Sequence, residues 1–101
     1  MDAPFQPFLF DPHSAHPQPV RPANGQGFEC EEVCRLLDCT MMEVIELDEE
    51  LILIIDENGK HATTPYLNLL ATVLWHKYQP GAKGVDSVVG RAILCHTSQF
   101  E

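Results

Sequence analysis

The side chains best suited to chemistry in this 101-residue chain are four cysteines, Cys30, Cys34, Cys39 and Cys95, with His76, His96 and two acidic runs, Asp48-Glu49-Glu50 and Asp56-Glu57. Four sulfurs are enough for a tetrahedral zinc site, but the spacing is not that of zinc knuckles in turns. Cys30 and Cys34 lie one helical turn apart on what reads as the apolar face of a helix, where cysteine behaves as a small hydrophobe. They are expected to be buried free thiols, as are the other two in a reducing compartment. Cys95 and His96 are adjacent in a predicted strand and point to opposite faces, which separates a nucleophile from its base.

The two acidic runs fall at opposite ends of one predicted strand, so they do not converge as an acid-base pair does. Asp56-x-Asn58-Gly59 carries only part of a calcium loop, and no glycine-rich phosphate loop or serine elbow is present. The expectation is a chain with no catalytic residues, no metal and no cofactor, and therefore not an enzyme.

The charge balance narrows the partners. Fifteen acidic against six basic residues give a formal net charge of −9, which repels phosphate backbones and anionic membranes. No direct nucleic-acid binding and no membrane association are expected. No stretch reaches the roughly 18 apolar residues of a membrane span, and the first residues lack a basic and then apolar leader pattern. The expected location is cytoplasmic. A hydrophobic content of 45% is that of a folded chain, and this length supports one core.

The elements that must position these residues follow from proline placement and periodicity. Six of the eight prolines lie in residues 1–27, which predicts a proline-rich extended arm packed on the body, with Pro7 to Phe10 as an edge strand. Residues 28–101 are expected to form a single α+β domain: a small mixed or antiparallel sheet of about four strands around a central hairpin, packed with two helices. Apolar positions recur at helical spacing from Glu29 to Asp38, with Phe28 placed to staple the first turn. Met42 to Leu47 alternates as a half-exposed strand, and Leu51 to Ile55 is apolar throughout, a strand covered on both faces. A third strand is predicted over Lys60 to Thr63.

Thr64-Pro65 has the chemistry of a helix start, and a helix is expected from there to Tyr78. Asn68, Thr72 and His76 form its polar stripe, four residues apart. The apolar remainder is wider than one packing face needs, so the sheet is expected on one side of it and the first helix or another chain on the other. Val85 to Cys95 predicts a last strand with Gly90 as a bulge or close backbone approach, after which Thr97 to Glu101 should fray.

The order of several short motifs resembles a known family. These are Pro22-Ala23-Asn24-Gly25-Gln26-Gly27-Phe28 before an acidic helix, Glu43-Val44-Ile45 opening a strand, Ile54-Ile55-Asp56-Glu57-Asn58-Gly59-Lys60, Asn68-Leu69-Leu70-Ala71-Thr72 and Asp86-Ser87-Val88-Val89-Gly90. Together they resemble the domain of unknown function 3846 family, small uncharacterised domains of bacteria, phages and mobile elements. The resemblance spans Pro22 to Cys95. Asp38-Cys39-Thr40 stands where that family usually has a glycine pair, and Glu29 where it has a Ser or Thr cap. The resemblance implies a small α+β domain and carries no catalytic residues over.

The expected function is that of a non-enzymatic accessory protein of a phage or mobile element, acting by protein-protein binding. The alternatives are a structural homodimer and an acidic nucleic-acid mimic acting on a basic host protein. The candidate partner surface comprises Tyr66, Leu69, Val73, Trp75 and His76 of the long helix with Asp48, Glu49, Glu50, Asp56 and Glu57 of the acidic turns.

Overall fold

The structure, a computed structural model, describes residues 5–59, 65–84 and 86–100. It is an α+β fold in which an antiparallel sheet lies between two helices. In chain order the elements are β1 (Phe8–Phe10), β2 (Gln18–Pro19), α1 (Cys30–Leu37), β3 (Met42–Glu46), β4 (Leu51–Asp56), α2 (Leu69–Tyr78) and β5 (Ala92–His96). The strands are ordered β2-β1-β5-β4-β3. Among the described residues there are thus five strands rather than about four. The strand expected over Lys60 to Thr63 lies outside the described residues.

The period-two alternation of strand side chains splits the core into two layers. Leu53 and Ile55 of β4, Ala92 and Leu94 of β5 and Phe10 of β1 join Ala71, Leu74 and Trp75 on the α2 side. Ile52 and Ile54, Ile93 and Cys95, and Leu9 join Phe28, Val33 and Leu37 on the α1 side. Leu53, Ile54 and Ile93 are wholly buried, each worth roughly 1.5–3 kcal/mol relative to exposure. The apolar run of β4 is therefore covered on both faces, as expected. The first helix, however, covers the far side of the sheet and does not touch the outer face of α2.

Local chemistry fixes the hairpin and α1. The Asp48 carboxylate accepts from Glu50 N at 2.8 Å and Leu51 N at 2.7 Å, an Asx turn that reverses β3 into β4. Phe28 and Val33 share the α1-side core, the contact of a hydrophobic staple. The helix closes in a Schellman cap: Asp38 takes a left-handed conformation with φ 54°, Asp38 N donates to Arg35 O, and Cys39 N donates to Cys34 O at 2.9 Å.

Several expectations need correction. Phe8–Phe10 is an inner strand, paired with β5 on one side and β2 on the other, because its apolar residues fill both core layers. The last strand begins at Ala92 rather than Val85. Gly90 has φ 85° with open space around it, so its requirement is conformational. The close approach belongs to Gly59, where a Cβ would stand 2.5 Å from Val89 O. Thr97–Gln99 forms a 3-10 turn instead of fraying: Gln99 is buried, its Oε1 accepts from His96 N, and its Nε2 donates to Phe5 O at 2.7 Å.

Candidate functional site

The largest departure from expectation is the placement of the long helix. It starts at Leu69, and Pro65 to Leu67 precede it as extended chain; Thr64 lies outside the described residues. Leu67 pairs in an antiparallel bridge with Val89, and Gly90 N donates to Tyr66 O at 2.9 Å. The cap is Asn68, whose Oδ1 accepts from Ala71 N at 3.1 Å.

The polar stripe exists as read, but it faces inward. Asn68 is 1% exposed and Thr72 7%, and His76 is half-buried. Asn68 Nδ2 donates to Gly90 O at 2.8 Å and to Phe10 O at 2.9 Å. Thr72 Oγ1 accepts from Val88 N at 2.9 Å, and His76 Nε2 meets Asp86 O at 2.7 Å, so the ring carries its proton there. Each step of four residues along the helix matches two along the segment from Gly90 back to Asp86. The match is metric: four helical residues rise about 6 Å, and two extended residues span about 6.6 Å. The stripe is a rail that satisfies the backbone of the segment from Asp86 to Gly90, whose strand-like pairing among the described residues is the isolated bridge of Val89 to Leu67.

With the polar side inward, part of the apolar arc faces outward. Leu69 is 65% exposed and Val73 57%, with Leu70 and Leu67 also exposed, and Tyr66 stands at the helix entry with its ring edge-on to His13. Lys77 continues this face. Residues 58–85 contain none of the fifteen acids of the chain, and Lys77 and Lys83 lie within them. The outward face of α2 is therefore apolar, and the helix that presents it carries no acid on a strongly acidic protein.

Of the side chains expected at a partner surface, Tyr66, Leu69 and Val73 are brought together there. Trp75 and His76 are not. Trp75 packs on the α2-side core and donates from Nε1 to Gln79 Oε1; His76 belongs to the rail. Leu67 and Leu70 were missed, and the signal was present in their spacing with Val73. The acidic runs stay at opposite ends of β4. Asp48 and Asp56 shape turns, Asp56 Oδ1 accepting from Asn58 N at 2.9 Å. Glu49, Glu50 and Glu57 are exposed.

The thiols also differ from expectation. Cys95 alone is fully buried; Cys34 and Cys39 are half-buried and Cys30 is exposed, all four being free. Burial pushes the Cys95 thiol up to about 12. Burial also pushes Cys39 to about 12, with hydrogen bonding to Cys34, the charge of Cys34 and then the nearby Asp56 and Asp38 carboxylates adding to it. Among the described residues no group of three or more His, Cys, Asp or Glu is placed to hold a metal ion. No described helix is long and apolar enough to cross a membrane.

Comparison with protein-family models, curated proteins and solved structures finds no match. The geometry above therefore carries the functional reading.

Proposed function

We propose that this chain is a non-enzymatic accessory protein of a phage or mobile element, and that it binds a protein partner through the outward face of α2. The observation that carries the reading is that face: Leu67, Leu69, Leu70 and Val73 turned to water while Asn68 and Thr72 are turned inward. Contiguous apolar surface in water is unfavourable, and its burial against a partner recovers about 25 cal/mol per Å². With Lys77 on the same helix and no acid in the helix, the face complements a partner that is apolar at its centre and acidic at its rim.

The phage or mobile-element assignment rests on the ordered motifs from Pro22 to Cys95. The non-enzymatic assignment is supported by two groups withdrawn from chemistry. Cys95 is held as a buried thiol, and His76 is engaged at Asp86 O.

A second reading has its own support. At a net charge of −9 two copies repel each other, and α2, which carries no acid of its own, is an element across which repulsion is reduced, which favours a homodimer across α2. The mimic reading is weaker, since the two acidic turns stand roughly 20 Å apart along the six residues of β4.

The test is retention of host-lysate protein on immobilised chain, at low and high salt, beside a Leu69→Glu/Val73→Glu variant. The proposal expects a protein that survives high salt on the wild type and is lost from the variant. No partner at either salt, or equal retention by the variant, would overturn it. Light scattering of the wild type separates the second reading, which requires a dimer that the variant abolishes.

A further inference from the structure

The residues that close α1 bring two cysteines together. In a Schellman cap the third residue from the helix end and the second residue beyond it meet in side-chain contact. Here those positions are Cys34 and Cys39, tied by the 2.9 Å bond from Cys39 N to Cys34 O and by Asp38 N donating to Arg35 O. Both thiols are half-buried, and both line one open cavity of about 420 Å³ together with Arg35, Asp38, Thr40 and Asp56. The nearness of Cys34 contributes to the raised value of the Cys39 thiol. The alternative pair, Cys30 and Cys34, sits four apart on an intact helix. Its Cβ atoms are held about 5–6 Å apart, beyond the roughly 3.5–4.5 Å of a disulfide.

We infer that Cys34 and Cys39 form a redox-convertible dithiol, which a low-molecular-weight disulfide closes into an intramolecular disulfide across the C-terminal cap of α1. In the first step the Cys34 thiolate attacks one sulfur of the small disulfide. That S–S bond breaks, one small thiolate leaves and takes up a proton, and Cys34 carries a mixed disulfide. In the second step Cys39, as thiolate, attacks the Cys34 sulfur and expels the second small thiolate. Two protein thiols are oxidised by two electrons, and one small disulfide is reduced to two thiols. The two thiols can exchange these roles without changing the balance, and either order gives the same disulfide. The backbone bond from Cys39 N to Cys34 O already closes the turn between the two residues, so closure needs no unwinding of α1.

The sequence supplies its own assay, because Arg35 lies between the two cysteines. The reduced full-length chain is incubated with glutathione disulfide in one arm and cystamine in another, remaining thiols are alkylated, and the product is digested with trypsin. The peptide holding Cys34 and the peptide holding Cys39 are then joined only by the disulfide. The expected results are a linked peptide in the wild type and in Cys30→Ser, loss of two free thiols per chain in Cys30→Ser, and, in Cys39→Ser, no link and a persistent adduct on Cys34. Dithiothreitol should restore both thiols. Adducts accumulating separately on Cys34 and Cys39 in Cys30→Ser, or links between chains, would overturn the inference. A linked peptide that vanishes with Cys30→Ser would do the same.

Discussion

Thr72 and Val88 hold each other at both polar atoms: Thr72 Oγ1 accepts from Val88 N at 2.9 Å and lies 3.5 Å from Val88 O, which it faces as donor. Asn68 N adds a 2.8 Å bond to that same carbonyl. A helix is thereby fastened through its polar stripe to a backbone segment that lies outside the five-stranded sheet, and its Leu69, Leu70 and Val73 are left outside. The stability of α2 depends on polar groups at positions where most amphipathic helices bury apolar ones.

Replacing Thr72 by Val keeps the shape and removes the hydroxyl. Val88 N loses its partner in a buried setting, a loss of about 1–3 kcal/mol. Urea unfolding should show a lower midpoint with an unchanged slope.

Asn68 has more to lose. Asn68→Ala removes the cap to Ala71 N and the donations to Phe10 O and Gly90 O, and should cost about 2–4 kcal/mol, the sum of a lost cap and unpaired buried groups. Asn68→Asp is the sharper probe. It can still cap Ala71 N, but it places a carboxylate oxygen against two carbonyls, so it should destabilise at least as much as Ala does. An Asp variant as stable as the wild type in thermal unfolding would mean that the two donations contribute nothing.

Gly59 leaves no room for a side chain. Its added Cβ would stand 2.5 Å from Val89 O, a backbone atom that cannot swing aside. Gly59→Ala should lose about 1–3 kcal/mol through displaced backbone, whereas Gly81→Ala, in open space, should lose under about 0.5 kcal/mol. The contrast between the two thermal midpoints is the check.

The buried Cys95 thiol makes stability fall in alkali. Its value rises on folding from 9.0 to about 12, so between these pH values the folded chain keeps a proton that the unfolded chain releases. The unfolded state then binds fewer protons, and stability falls as pH rises. The contribution is fully present below pH 9 and lost by about 12. Thermal midpoints measured from pH 8 to 10.5 should decline, and the decline should be shallower in Cys95→Ala, whose own starting stability is lower.

The parts of the fold legible in the sequence are those set by neighbours in the chain. The run Leu51 to Ile55, the turn at Asp48 and the staple from Phe28 to Val33 each state their structure within a few residues. Thr72 and Asn68 do not, because their partners lie in Val88, Gly90 and Phe10. A stripe of Asn, Thr and His on a helix reads as solvated unless the backbone that it serves is known. The same stripe spacing of four residues was legible, and only its direction was not. Phe8 to Phe10 likewise read as an edge because prolines flank it, while its place between β2 and β5 depends on a strand more than eighty residues later. The Schellman cap was hidden because Asp38, rather than the usual glycine, takes the left-handed conformation.

The central claim is that α2 is fastened by its polar stripe and turns Leu69 and Val73 to water. Urea unfolding of the Leu69→Glu/Val73→Glu variant tests it most directly. If both side chains face solvent, the variant keeps the wild-type slope and loses no more than about 1 kcal/mol, within the usual range of two surface substitutions. If the helix instead buries that face within the chain, two carboxylates enter the core and the variant is unfolded in buffer, which would contradict the account.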